Sequence, residues 1–246
     1  MAGVTVTGFT VQSAYFEGIL VTNASNITIW NNRVFNNNKN LTATGCLGIP
    51  AFETLEGFDC GEGIHLTGVH DSTVGNNNVA LNSGGILLSD ETGATHDNLV
   101  SGNTVQNNPF DCGITLASHP RFPPITGPGA PLGVFHNTIS NNVSRANGLA
   151  VGGAGAGVGI FDSIPGAKNY GNVVVGNTLT GNGLPGVAMH SHTPGQNLTG
   201  NIIVRNHISG NGADTDDAAT PAPTGINVFG VSPAIATEIL QNVITQ

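Results

Sequence analysis

The sequence predicts an all-β solenoid, a parallel β-helix of about seven similar coils, and three observations lead there. A glycine followed by an apolar residue, any residue and a second apolar residue recurs at Gly18, Gly63, Gly85, Gly113, Gly157, Gly186 and Gly225. Downstream of each, an asparagine stands two residues before an apolar one: Asn32 with Val34, Asn77 with Val79, Asn103 with Val105, Asn137 with Ile139, Asn177 with Leu179, Asn206 with Ile208, and Asn242 with Ile244. Between these marks the apolar residues alternate at period two, and no window sustains helical spacing. A unit that recurs in this way cannot bury its apolar face alone, so successive copies must stack.

Stacking dictates where side chains go. Ile64 and Leu66, Ile86 and Leu88, Ile114 and Leu116, and Val187 and Met189 are expected to point inward, with His65, Leu87, Thr115 and Ala188 pointing outward. With coils about 4.7 to 4.9 Å apart, the asparagines should form an internal ladder. Each side-chain amide would bond to its neighbours above and below and to the turn backbone.

In order, Val4 to Val11 reads as a partial coil and Gly18 to Asn37 as the first full one. A long insertion, Asn38 to Cys60, follows. Coils two and three are tight. Coil four carries a second insertion, His119 to Leu132, made rigid by Pro120, Pro123, Pro124, Pro128 and Pro131. A Gly and Ala run, Gly148 to Gly157, precedes coil five, and a third insertion, Gly212 to Thr224, precedes coil seven. Insertions into a solenoid map to its turns and commonly frame a binding face.

No break in composition divides the 246 residues, so a single domain, 1–246, is expected. The formal charge is −9 with six Lys and Arg, which argues against nucleic acid, since little is present to neutralise phosphates. No apolar run is long enough for a membrane span. Ala2 to Val11 alternates from the start, unlike a signal peptide. Strand-like sequence at both ends leaves open coil edges, so either the chain is trimmed or a cap domain or self-association covers them. Cys46 and Cys60 bracket the first insertion, where a bridge would contribute roughly 3 kcal/mol. Cys112 reads as a buried packing residue.

Chemistry is expected just after the glycine-led strands, where the repeat relaxes. Successive coils there read Asp90-Glu91, Ser118-His119, Asp162-Ser163 and His190-Ser191-His192, while other coils hold Asn23-Ala24, Gly68-Val69 and Gly230-Val231. Asp90, Glu91, His119, Asp162, His190 and His192 are therefore the candidate catalytic residues, lining one concavity walled by the first two insertions. Paired carboxyls with histidines between them suit acid and base work. The carboxyl of Asp90 or Glu91 would lie roughly 6 to 10 Å from Asp162 by coil spacing, a range that includes inverting glycoside hydrolysis.

The same residues suit a divalent metal such as calcium or zinc. His190 and His192, two apart on extended chain, share a face, and His119 with Asp162 would complete a nitrogen and oxygen set. His65, Asp111 and Thr115 are candidate substrate-binding residues beside the patch. His70, His96, His136 and His207 read as structural, and the bland alternative for the whole patch is a row of solvated turn caps.

The Gly-led elements, such as Gly63 to Leu66 and Gly85 to Leu88, with asparagine elements such as Asn77 to Val79, resemble the pectate-lyase-like superfamily, especially its NosD-type repeats, over about residues 16 to 246. The resemblance implies a right-handed helix, consistent with the general hand of parallel crossovers. It also implies a polysaccharide or oligosaccharide partner along the outside of the sheets and a secreted or periplasmic location. The Gly-His-Gly and Arg-Ile-Lys of polygalacturonases and the Asp-Pro-His of alginate epimerases are missing, and Arg121 and Lys168 match no lyase motif. An acidic chain fits a polyuronate poorly unless a cation bridges them. The reading is thus a glycoside hydrolase-like protein on a neutral or weakly charged glycan. The alternatives are a calcium-assisted lyase or C5-epimerase, and a non-catalytic glycan-binding, metal-binding or structural module.

Overall fold

The computed structural model describes residues 1–39, 41–42, 45–46, 61–119, 132–150, 155–217, 219 and 221–245. Among them, three parallel sheets run the length of the molecule. The first holds eight three-residue strands from Thr5–Thr7 to Glu238–Leu240, the second eight from Thr10–Gln12 to Val243–Thr245. The third begins at Ile19–Ser25 and contains the other glycine-led strands: Ile64–His70, Ile86–Ser89, Ile114–Ser118, Val158–Asp162, Val187–Ser191 and Ile226–Gly230. Short strands Thr95–His96, Val134–Phe135 and Asn169–Tyr170 extend the third sheet beyond the turn. The partial first coil contributes to the first two sheets alone, as its sequence implies.

Corners between the first and second sheets need one left-handed residue per coil. Asn31 (φ 56°), Gly102 (φ 70°) and Gly176 (φ 67°) supply it, the residue types that tolerate that conformation best. The next residue on each coil is a ladder asparagine. Asn142 shows the bonding: its N and Nδ2 donate to Asn177 Oδ1 (2.9 and 3.0 Å) and its Nδ2 to Val100 O (2.9 Å), while it accepts from Asn103.

The ladder is threefold rather than single. One column runs Asn32, Asn77, Asn103, Asn142, Asn177, Asn206 and Asn242. A second joins Asn37, Asn82, Asn108, Asn147, Asn182 and Asn211. A third joins Asn98, Asn137, Asn172 and Asn201. Asn137 therefore belongs to a different corner from the six residues it was grouped with. The coil-four member of the first column is Asn142, which the pattern passed over because Ser144, not an apolar residue, stands two places on.

One continuous core follows the inward columns, including Ile64, Leu66, Ile86, Leu88, Ile114, Leu116, Val187 and Met189. On the opposite face of the third sheet, His65, Leu87, Thr115 and Ala188 are also buried, so outward does not mean solvated here. Ala188 packs there in a separate cluster with Cys112, Ala156, Leu184 and Phe161. Cys112 is a free thiol, pushed well above its usual pKa by burial and the Asp111 charge, as a packing residue would be. The Cys46–Cys60 bridge and most of the first two insertions lie outside the described residues. The third insertion folds onto the outer face through Asp214 and Asp217, which both accept from Asn227 Nδ2 (2.9 and 3.2 Å). The last coil leaves Ile239, Leu240, Val243 and Ile244 exposed. No helix among the described residues is long and apolar enough to cross a membrane.

Candidate functional site

Strand alternation splits the expected patch. In the third sheet Ser118, Asp162 and Ser191 are register partners, and so are Ala117, Phe161 and His190. Consecutive residues on a strand face opposite ways, so Asp162 continues the inward side of Ile160 and His190 the outward side of Ala188. The six candidate catalytic residues therefore do not line one concavity. They form two groups, joined where the Asp162 carbonyl accepts from His192 Nδ1 (2.8 Å).

The first group is a buried acid and imidazole network on coils two to five. Glu91 Oε1 lies 2.8 Å from His119 Nδ1, and Glu91 Oε2 accepts from Thr67 Oγ1 (3.1 Å) and from Ser89 Oγ. Burial alone would raise Glu91, but the charge and hydrogen bond of His119, together with His65 and Ser89, hold its pKa down to about 2. An ionised carboxylate can only accept, so His119 Nδ1 carries the proton it donates. Ser89 gives its single proton to Glu91, so His65 Nε2 must donate to Ser89 Oγ (2.7 Å). Glu17 and Glu62 back this network, bringing ligand-type atoms within 4.8 Å of His65.

Asp90 has a different task. Its carboxylate accepts from Ser118 Oγ (3.0 Å), His119 N (2.7 Å), Leu132 N (2.8 Å) and Gly133 N (2.6 Å). It thereby pins both ends of the second insertion to coil three. Burial pushes the Asp90 pKa up, against the pull of the Gly133 and His119 N–H bonds.

Asp162, on the next coil, is buried, and neither of its oxygens accepts a hydrogen bond. Burial and the nearby Asp90 charge push its pKa up to about 8, against His119 and the Asn197 N–H. That N–H is already committed to Ala167 O (2.9 Å), so it offers little relief. At neutral pH Asp162 is therefore largely a neutral acid, with Asp90 and His119 as its charged neighbours.

The second group lies two coils on from His119, with His190 standing in the same outward row as Thr67, Ser89 and Phe161. His190 Nε2 is 2.6 Å from Asp214 Oδ2, and His190 Nδ1 and His192 Nε2 each lie 3.6 Å from Asp216 Oδ2. Although burial opposes it, the hydrogen bond and charge of His190 hold Asp214 below its usual pKa. His190, His192 and Asp216 bring one ligand atom each within 4.8 Å. His119 and Asp162 do not join them as ligands, because one is bound to Glu91 and the other faces the core.

Of the candidate substrate-binding residues, His65 is inside the Glu91 network, while Thr115 is buried and Asp111 stands against Cys112 and Gly84. His70, His96, Phe135 and Tyr170 stack ring on ring at 5.1, 4.8 and 4.9 Å, which suits a structural column. Sequence reasoning missed Thr67, Ser89, Asp214 and Asp216. Thr67 and Ser89 are register partners in the same outward row. The acidic run Ala213-Asp214-Thr215-Asp216-Asp217 was the one visible sign of the last two.

The family described as the right-handed beta helix region matches residues 2–163. No curated protein matches the chain. Among solved structures, the periplasmic alginate epimerase AlgG superposes with a TM-score of 0.59 at 18% identity, over 97% of this chain and 43% of that one. The A-module of the mannuronan C-5 epimerase AlgE6 from Azotobacter vinelandii does so with a TM-score of 0.57 at 13% identity, over 100% of this chain and 58% of that one. The chain thus spans about half the length of these two proteins, and at such identities the likeness is one of fold.

Proposed function

The chain belongs to the right-handed β-helix family, and from that premise we propose a carbohydrate-active module that moves a proton at the carbon beside a uronate carboxylate, as a C5-epimerase or lyase does. One observation carries this reading: His119 is held by an ionised Glu91 on one coil, with a buried, unbonded carboxyl, Asp162, on the next. Two proton-exchanging groups of different character on adjacent coils suit removal of a proton by one and delivery by another.

In this reading His119 Nε2 takes the C5 proton and Glu91 stabilises the imidazolium that forms. For epimerisation a proton returns to C5 from the opposite face of the sugar ring. For elimination the C5 electron pair forms the new double bond and the departing glycosidic oxygen takes the proton. Lys168, exposed and seated by its backbone N–H on Ser118 Oγ (3.1 Å), supplies a cation beside the site for a substrate carboxylate. A hydrolase acting through Glu91 is less well served, because its oxygens are occupied by Thr67, Ser89 and His119 and have little capacity left to activate water. The epimerases among the similar folds support the substrate class, and an acidic polysaccharide substrate goes with action outside the cytoplasm.

Incubation with mannuronate, guluronate and galacturonate polymers in heavy water tests this directly. Deuterium at C5 is the result expected of an epimerase, and ultraviolet-absorbing unsaturated ends, which carry no hydrogen at C5, the result expected of a lyase. New reducing ends from neutral glycans without deuterium would show a hydrolase instead, and binding without turnover a non-catalytic module.

A further inference from the structure

We propose that His190, His192 and Asp216 form a mononuclear site for a divalent transition-metal ion, zinc foremost, with its remaining coordination positions open to solvent. The inference rests on which atoms face one another and does not depend on the proton-transfer reading above.

Asp214 accepts from His190 Nε2 (2.6 Å), Asn227 Nδ2 (2.9 Å) and Asp216 N (3.1 Å), so it behaves as a carboxylate and His190 Nε2 carries hydrogen. His192 Nδ1 faces the carbonyl of Asp162 (2.8 Å), which can only accept, so it also carries hydrogen. In the neutral imidazoles this leaves His190 Nδ1 and His192 Nε2 as lone-pair atoms, and both look towards Asp216 Oδ2. Three acceptors then converge without a donor. His190 Nδ1 is fully buried and has no hydrogen-bond partner.

Distances separate a metal from a shared proton. Both nitrogens lie 3.6 Å from Asp216 Oδ2, too far for a hydrogen bond. Ligand atoms about 2.0 to 2.1 Å from a tetrahedral zinc stand roughly 3.3 to 3.4 Å apart, so the two nitrogen–oxygen separations need only a small adjustment. Hydrogen bonds from the far nitrogens to a carboxylate and a carbonyl are the supporting contacts that metal-bound histidines usually have. Two imidazoles and one carboxylate suit zinc and its neighbours, whereas calcium prefers oxygen throughout. Asp216 and His192 are 59% and 34% exposed at the side chain, so water or an oxyanion such as a carboxylate could occupy the open position.

The test is calorimetric titration of the chelator-stripped full chain with Zn²⁺, and with Co²⁺ to read nitrogen and oxygen coordination from its visible absorption. One ion per chain is expected, with Ca²⁺ failing to compete. Asp216→Ala and His192→Ala, both at the surface, should each weaken binding at least about ten-fold while circular dichroism stays unchanged. Asp214→Asn should weaken it about 10 to 100-fold through the His190 ring, and Asp71→Ala, beside a different histidine, should change nothing. Stoichiometric binding that survives both surface variants, no binding by the stripped chain, or equal competition by Ca²⁺ would each overturn the assignment.

Discussion

Glu91 Oε1 and His119 Nδ1 meet at 2.8 Å across the step from coil three to coil four, and both side chains are almost wholly buried. Two residues 28 apart in sequence thus form one acid and imidazole pair because the coils stack in register. In the proposed reading this pair makes His119 the group that takes the C5 proton. His119→Ala should lower turnover on the responsive polyuronate by about 10² to 10⁴-fold. Glu91→Gln should lower kcat more than it raises KM, since it leaves the ring present but poorly oriented. Unaltered deuterium exchange at C5 in His119→Ala would remove His119 from the chemistry.

Stability should peak in mildly acid solution. Glu91 is held at about 2 in the folded chain against a usual 4.5, so its contribution, on the order of 3 kcal/mol, is present above pH 4.5 and lost as pH falls towards 2. Asp162 works the other way, raised from 3.8 to about 8, so the folded state loses stability progressively as pH rises from 3.8 through 8. Melting temperatures from pH 3 to 9 should trace both limbs. Asp162→Asn should flatten the alkaline limb and leave the acid one, and an alkaline limb that persists in Asp162→Asn counts against this account.

Removing the Asp90 carboxylate releases both ends of the second insertion. Asp90→Ala leaves the N–H groups of His119, Leu132 and Gly133 without their acceptor, at a cost of roughly 2 to 4 kcal/mol. Limited proteolysis read by mass spectrometry should show faster cutting between His119 and Leu132. Equal cutting rates in the variant and the parent chain would mean that the insertion is held by other contacts.

Ladder position should set the cost of losing an asparagine. Asn142→Ala, in mid-helix, deprives Asn103, Asn177 and Val100 O of partners and should destabilise by roughly 2 to 4 kcal/mol. Asn242→Ala, in the last coil where neighbours lie on one side, should cost about 1 kcal/mol. Urea unfolding of the two variants gives the comparison, and equal losses would indicate that ladder bonds contribute little beyond packing.

What the sequence determined by itself is everything that repeats. Period-two alternation specifies strands, glycine-led starts count the coils, and asparagine corners require neighbours above and below, so parallel stacking with buried ladders follows from local pattern alone. Even there a single polar residue, Ser144, was enough to move the coil-four asparagine from Asn142 to Asn137. The site was legible as a set of residue types but not as a constellation. Asp162 and His190 occupy similar places at the ends of their strands, yet one position of register sends them to opposite faces, and only the strand pairing shows which residue goes inward. Asp214 and Asp216 lie outside the repeat altogether. They reach His190 because the third insertion folds back over the outer face of the sheet, a long-range contact that no sequence period records.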